Sequence, residues 1–417
     1  SHTGPQTSLL VDVGDKRYLW KPFNDEVGVY DTRRNLYKNL VGNRLIFEEI
    51  NRDLDLVFTY GWSSSAQFGF VKTTTVRNVG RNEVMVKVLD GFRNLLPAGI
   101  NQEMQTRMST LADAYKRAET DASSGIGIFS LTSIPNDHTE PCESLRASVA
   151  WCLGLENPLV LLSTKQVRAF CAGHELRPET RVSGQRCSYF VQSEFSVAPG
   201  ETANWRLVAD VGQGPSDLPL LMDRISSGIS SADIDADVEA GTRCLQSLVG
   251  RADGCQVTSD DLVSGRHFTN TLFNIMRGGT FIDDYQIQRD DFLDFVSGWN
   301  LPLRDKFDTL LASQADPLAR AALLEAVESK DDAHMQRLVL EYLPLCFSRR
   351  HGDPSRPWNK FNIDIGDSDV GAKLHYQGNW RDIFQNWEAL AISYPEFIDS
   401  FIAKFVNAST VDGYNPY

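Results

Sequence analysis

Phe68-Gly69-Phe70-Val71-Lys72-Thr73-Thr74-Thr75-Val76, then Arg77-Asn78-Val79-Gly80-Arg81-Asn82, then Glu83-Val84-Met85-Val86-Lys87-Val88-Leu89: two runs rich in β-branched residues flank a polar, glycine-containing stretch. Such runs form strands, and the turn signal between them predicts a hairpin. Outward from this pair, runs of the same kind stand at 44–50 and 56–62, and further strands are predicted at 125–132, 145–152, 158–164, 187–197 and 203–210. Strands this closely spaced, with few helices between them, pack as antiparallel sheets in a sandwich and not as βαβ units. One exception is 101–120, where Met104, Met108, Leu111 and Tyr115 recur at helical spacing. Glu48 and Glu49, at the end of a predicted strand, read as a solvated edge.

After residue 215 the period changes. Helices are predicted at 216–228, 235–250, 258–278, 290–298, 303–313, 317–328, 332–346, 380–393 and 395–408. In 258–278, Leu262, Phe268, Leu272, Phe273 and Met276 are spaced for a buried stripe. Phe397, Phe401 and Phe405 repeat every fourth residue behind Pro395, which a first helical turn tolerates. A long loop rich in Gly, Pro, Asp and Arg spans 347–379, and a loop of that length in a compact domain is usually functional or disordered.

The 417 residues carry 41 Lys and Arg against 55 Asp and Glu, a net charge of −14. That balance argues against a nucleic-acid partner, whose phosphates call for a basic face. No stretch approaches the ~20 apolar residues that cross a bilayer, so a membrane role is not expected. Seven cysteines without a C-x-x-C read as reduced thiols of a cytoplasmic protein. No H-E-x-x-H, phosphate-binding loop or G-x-S-x-G elbow occurs, and Asp367-Ser368-Asp369-Val370-Gly371 lacks the glutamate that would complete a calcium loop. Neither a metal nor a cofactor is expected. Carboxylates, arginines and aromatics are left to carry any chemistry.

Those residues concentrate late in the chain. Trp358, Trp380 and Trp387 stand among Arg349, Arg350, His351, Asp353, Arg356, Asn359, Arg381, Asp382, Gln385 and Asn386. Sugars call for this mixture: their C–H faces pack on aromatic rings, and their hydroxyls need carboxylate acceptors beside arginine or amide donors. A core role for the tryptophans remains the alternative. The arginines likewise read either as a grip on phosphate or an acidic sugar, or as ion-pair partners of Asp353, Asp364 and Asp367. On helix 380–393, Ile383, Trp387, Leu390 and Ala391 make an apolar face, and Asp382, Gln385 and Asn386 a polar one.

Trp380-Arg381-Asp382-Ile383-Phe384-Gln385-Asn386-Trp387-Glu388-Ala389-Leu390 resembles the aromatic-Arg-Asp-x-x-Gln-Asp-x-x-Ala-Leu helix of cellobiose-phosphorylase-like glycoside phosphorylases. Arg277-Gly278-Gly279-Thr280-Phe281 and Phe347-Ser348-Arg349-Arg350-His351-Gly352-Asp353-Pro354 also resemble segments of large bacterial proteins of the same build. The resemblance implies an α+β multidomain chain. A β super-sandwich would span 1–215, a helical linker 216–257, and the first part of an (α/α)6 six-hairpin barrel 258–417. It further implies that Arg381 and Asp382 hold the sugar on the non-reducing side of the scissile bond. Two departures stand out: Asn386 replaces an aspartate, and the family's Gly-Asp-Trp-Asn-Asp segment, which bears the general acid, has no counterpart before Tyr417. No catalytic residue is therefore assigned, and this chain by itself is expected to be inactive.

The substrate-binding candidates are Arg381, Asp382, Gln385, Trp380, Trp358, Asn359, Arg349, Arg350 and Asp353. The expected activity is inverting phosphorolysis of glucoside-type oligosaccharides with inorganic phosphate as co-substrate. An inverting hydrolase on the same fold, or a non-catalytic glycan-binding module, is the alternative. The expected partners are an oligosaccharide substrate and, for assembly, a second copy or the complementing C-terminal part of the barrel.

Overall fold

The computed structural model describes residues 3–24, 28–135, 144–281, 283–346, 387–388 and 390–414, and the backbone alone at 349–351 and 362–363. It is an α+β chain of two compact units, Ser1–Thr242 and Arg243–Tyr417, the first built on large antiparallel sheets and the second mainly helical.

In the first unit, five strands form one sheet, in the order Leu159–Leu161, Cys187–Val197, Val84–Leu95, Gly4–Val13 and Lys16–Trp20. Nine form the other, in the order Arg181–Ser183, Lys116–Thr120, Gly127–Leu131, Ala147–Leu153, Thr202–Gln213, Gly69–Asn78, Leu56–Ser65, Leu45–Asn51 and Thr32–Lys38. Alternate residues of both sheets meet in one core: Leu9, Val86, Val88 and Val191 from one side, Phe58, Val76, Ala150 and Leu207 from the other. The two-residue period of a strand sends the intervening side chains outward. Val71, Trp151 and Val208 therefore form a second apolar layer on the outer face of the nine-stranded sheet, with Phe68 beside them.

The hairpin predicted from 68–89 does not form. Its two runs do become strands, but Gly69–Asn78 lies between Leu56–Ser65 and Thr202–Gln213, whereas Val84–Leu95 lies between Gly4–Val13 and Cys187–Val197 in the opposite sheet. Each run has an apolar inner face, and stacking those faces removes more apolar surface from water than pairing the two edges would. Asn78 holds the crossing: its amide donates to the carbonyls of Asn82 (2.7 Å) and Val197 (2.8 Å), and its own carbonyl oxygen accepts the Gly80 N–H at 2.9 Å.

The alternation that buries Val76 and Val88 also buries Lys72 and Asp90, both fully inaccessible to water. The Lys72 ammonium donates to Asp90 at 2.5 Å, and Asp90 further accepts from Thr7 (2.7 Å), Trp205 (2.8 Å) and Thr74 (3.3 Å). Burial pulls the Lys72 pKa down, and the neighbouring carboxylate opposes that pull. Next to this hub Gly91 has no room for a side chain, since a Cβ there would stand 2.1 Å from the Tyr189 carbonyl oxygen.

Two further readings change. Residues 101–120 do not form one helix: α1 (Gln102–Arg107) and α2 (Ser109–Ala114) end at Tyr115, and Lys116–Thr120 joins the sheet beside Gly127–Leu131. Pairing there buries Ala118, while Met108 and Leu111 of the supposed stripe stay exposed. Glu49 is no solvated edge either. Only 2% accessible, it accepts hydrogen bonds from the Trp20 indole (2.8 Å), the Phe23 N–H (2.8 Å) and Arg34 (2.7 Å).

Helix α3 (Val167–Cys171) places Phe170 on the outer face of the five-stranded sheet, against Leu89 and Phe190. Over the nine-stranded sheet lie α4 (Asp217–Ser226) and the part of α5 (Ser231–Arg251) that belongs to this unit, bringing Leu221, Ile225, Ile234 and Val238 to Phe68 and Trp151. Arg206 and Asp235 add an ion pair at 2.8 Å.

The second unit opens on the rest of α5 and on α6 (Asp261–Gly278), whose N-terminus is capped by Asp260 accepting from the N–H groups of Leu262 and Val263. Its buried side is Phe268, Thr271, Ile275 and Gly278; Leu262 and Phe273 of the expected stripe are exposed. Four helices come next: α7 (Arg289–Trp299), α8 (Leu301–Leu311), α9 (Arg320–Glu328) and α10 (Ala333–Glu341). They enclose a core of their own that includes Phe292, Val296, Phe307, Leu311, Leu323 and Leu338. The chain ends in a helical segment α11, described at 387–388 and 390–393, a 3₁₀ turn at Pro395–Phe397, and α12 (Ile398–Asn407). Cys152, Cys171, Cys187, Cys244, Cys255 and Cys346 are all free, and Cys142 lies outside the described residues. No described helix is long and apolar enough to cross a membrane.

Replacing Asp90 by Asn would leave a buried ammonium without its counter-charge, and breaking a buried pair this way costs about 3–5 kcal/mol. Urea unfolding followed by circular dichroism is expected to show that loss for Asp90→Asn, and a smaller one for the double variant Asp90→Asn with Lys72→Met. An Asp90→Asn midpoint equal to wild type would show that the pair does not hold the sheets together.

Candidate functional site

Of the residues read from sequence as sugar-binding, Arg349 and Arg350 stand in a short strand, Arg349–His351, paired antiparallel with Asn362–Ile363. Asp353, Trp358, Asn359, Trp380, Arg381, Asp382 and Gln385 lie outside the described residues. The structure does describe the frame on either side of that region.

The frame starts where α6 stops. Gly279 adopts φ 79°, a left-handed conformation that ends the helix and that residues with a Cβ rarely take. Thr280–Phe281 then pairs antiparallel with Leu345–Cys346, in the register Thr280↔Cys346 and Phe281↔Leu345. The residues between these two short strands leave and return at adjacent points, and four of their helices bury a core of their own. That is the geometry of an inserted module, since an insertion is tolerated where its ends already meet.

Aromatic residues of the chain ends lock around this neck. Phe281 stacks on Phe397 at 4.1 Å and Trp387 on Phe401 at 4.9 Å, while Tyr394 meets Phe281 edge-on at 5.0 Å. The buried Trp387 indole donates to the Gly278 carbonyl at 2.9 Å, one of the groups a helix end leaves unpaired. Trp387 and Leu390 are buried and Glu388 is exposed, as the apolar face read on 380–393 requires. Tyr394 donates to Asp284 at 3.0 Å, and burial together with that carboxylate pushes its phenol pKa up. From the module, Arg320 lies 4.6 Å over the Phe397 ring and donates to the Ser400 hydroxyl at 3.1 Å. Glu341 accepts from Asn407 at 2.6 Å and from Arg337 at 2.8 Å.

Chemically the neck is quiet. Burial pushes the Cys346 thiol up to about 12, so it is protonated at neutral pH and is no nucleophile. Tyr394 is committed as a donor. In the chain, Leu345–Cys346 precedes Arg349 and Arg350 by a few residues, and Trp387 follows Arg381 and Asp382. In the sequence, Arg277-Gly278-Gly279-Thr280-Phe281 stands out by resemblance only. Its physical signal is the pair of glycines directly after a helical run.

Residues 281–344 match the family model of glycoside hydrolase family 149 insertion domain 1, and the matched segment begins and ends within one residue of the neck strands. Over that segment the chain is thus similar to a glycoside hydrolase family, in keeping with the carbohydrate-active resemblance read from its sequence. No curated protein matches the chain. Among solved structures, a bacterial glucoamylase complexed with acarbose is 6% identical over 73% of this chain and 44% of its own, with a TM-score of 0.38. One described as a kojibiose phosphorylase from the human microbiome is 10% identical over 94% and 45%, with a TM-score of 0.33. A family GH92 α-mannosidase from Bacteroides thetaiotaomicron is 9% identical over 62% and 30%, with a TM-score of 0.30. The chain spans less than half the length of each. With every score below 0.5, these likenesses are too distant to carry a function.

Trp387→Phe would keep a ring against Phe401 and leave the Gly278 carbonyl buried without its donor, a loss of about 1–3 kcal/mol. Phe281→Ala, which empties the centre of the cluster, is expected to cost about 3–5 kcal/mol. Trp299→Ala, at a site 60% exposed, is expected to stay within about 0.5 kcal/mol of wild type. Guanidinium unfolding read at 222 nm ranks the three, and equal midpoints for Phe281→Ala and Trp299→Ala would contradict the neck as a packing centre.

Proposed function

We propose that the protein is carbohydrate-active, of the inverting glycoside-phosphorylase type, acting on glucoside-type oligosaccharides with inorganic phosphate as co-substrate. One observation carries this reading: residues 281–344 match an insertion domain of a glycoside hydrolase family, and the chain closes a two-residue ladder at the borders of the match. The Trp380–Leu390 motif supports it by resemblance. In such a reaction a carboxylic acid protonates the glycosidic oxygen while phosphate attacks the anomeric carbon from the opposite face. Hydrolysis would put a water and a second carboxylate in the place of phosphate, the two carboxyls standing ~6.5–9.5 Å apart. Arg381 and Asp382 would hold the sugar ring, the carboxylate accepting from vicinal hydroxyls and the guanidinium donating to ring oxygens. Arg349 and Arg350 suit the phosphate, because guanidinium forks match its oxygens.

Charged hydrogen bonds of this kind contribute roughly 1.5–3 kcal/mol each. In the natural protein Asp382→Ala is therefore expected to lower kcat/KM for oligosaccharide phosphorolysis at least tenfold, read as sugar 1-phosphate released from a panel of glucosides. Sugar release that does not depend on phosphate would turn the reading to hydrolysis, and an unchanged kcat/KM would remove Asp382 from the site.

A further inference from the structure

The first unit has a cleft of its own. Helix α4 stands over the outer face of the nine-stranded sheet and leaves a cavity of about 250 Å³ beside it. Beneath it Phe68 and Trp151, 4% and 1% accessible, meet edge to face at 6.3 Å and close its base. Asp210 and Gln213 form the polar wall: the Asp210 carboxylate accepts the Val211 N–H at 2.8 Å and the Gln213 amide NH₂ at 2.7 Å. With its NH₂ group held in this way, Gln213 has its carbonyl oxygen left as an acceptor. The wall is built closely. Gly69 adopts φ +86°, and a Cβ there would stand 2.6 Å from the Ala209 carbonyl oxygen and 2.8 Å from Asp210 Oδ1. At the mouth Arg224 lies 5.2 Å over the Phe68 ring and donates to the Gln67 side-chain oxygen at 3.2 Å. Beyond Arg224, and sharing Phe68 and Leu220 with the first, a more open cleft of about 580 Å³ continues past Asp223 and Asp233.

We propose that this groove binds an uncharged oligosaccharide, one pyranose ring in the deep cavity and the next in the open cleft. The proposal rests on the reading of the protein as carbohydrate-active. The chemistry of the lining selects the ligand. A carboxylate beside an amide oxygen accepts adjacent hydroxyl hydrogens, and the exposed Leu220 beside them offers an apolar edge to the C–H groups of a sugar. Asp210, Asp217, Asp223 and Asp233 outweigh Arg224 along the lining and disfavour phosphate and acidic sugars. No group of three metal-ligating side chains converges among the described residues, which leaves a neutral polyol as the better fit than a cation.

The test is calorimetric titration of the 417-residue chain with β-1,4-, β-1,3- and α-1,4-linked glucotetraoses. It is run in an Asp382→Ala background, so that any sugar held through that residue does not contribute. Binding of at least one tetraose is expected, and adding Gln213→Ala or Leu220→Trp is expected to weaken it at least tenfold with the melting temperature unchanged. Leu220 is 64% exposed, so a larger side chain there fills the cleft without entering a core. Should Leu220→Trp alter folding, Gln213→Ala decides alone. No binding of any tetraose, or equal affinity with and without Gln213→Ala, overturns the proposal. The two readings fail separately: tetraose binding by this chain with no sugar 1-phosphate release by the natural protein keeps the groove and rejects the phosphorylase, and release by the natural protein without Gln213-dependent binding does the reverse.

Discussion

A carboxylate cut off from water has to find its counter-charge and its hydrogens inside the protein, and Asp90 finds both between the two sheets. Three of its four donors, Lys72, Thr74 and Trp205, come from the nine-stranded sheet, while Asp90 and Thr7 belong to the five-stranded one. The apolar residues around it would tolerate sliding by one pair of residues, because a valine packs almost as well against one neighbour as another. The hub does not tolerate it, since moving either sheet would strand an ammonium and a carboxylate in a dry core. The hydrophobic effect thus brings the sheets together, and the ion pair decides where they stop.

The second unit meets a different constraint. A module of four helices must leave the chain and rejoin it without separating the elements on either side. The short ladder at Thr280–Phe281 and Leu345–Cys346 brings both crossings to one place, so the module adds little closure entropy to the elements that carry it. The contacts made by Arg320 and Glu341 give this arrangement a further consequence. They tie the module to Phe397, Ser400 and Asn407, the same stretch that packs on Trp387 through Phe401. A shift of the module is therefore felt at Trp387, in α11.

The sequence made plain whatever depends on nearest neighbours along the chain. Cys187–Val197 stood out because its β-rich run is long, and α7 through α10 because their apolar residues recur at helical spacing. Partners were not legible. The run at 68–89 has every local mark of a hairpin, yet which edge a strand joins depends on residues far away, such as Thr202–Gln213 for one strand and Gly4–Val13 for the other. Glu49 looked solvated because its three donors come from residues 15 to 29 positions away. The stripe of α6 was read in the wrong rotation because Thr271 and Gly278, neither strongly apolar, sit on its buried side, where close approach counts for more than side-chain size.

The same distinction bears on the sites. The Arg381 and Asp382 reading came from a local pattern and from the family resemblance that pattern carries, and both need only neighbouring residues. The groove on the first unit could not be found that way. Phe68, Trp151, Asp210 and Gln213 come from three separate stretches of chain, and none is unusual in its own surroundings. Only the fold makes Asp210 and Gln213 a pair of hydroxyl acceptors at the edge of a cleft, with Gly69 kept small so that the carboxylate can stand where it does. A strand that must bury one face and carry α4 on the other leaves few polar positions at that seam. Finding two of them holding each other, with acceptor capacity left over, is what gives the seam a chemical character beyond packing.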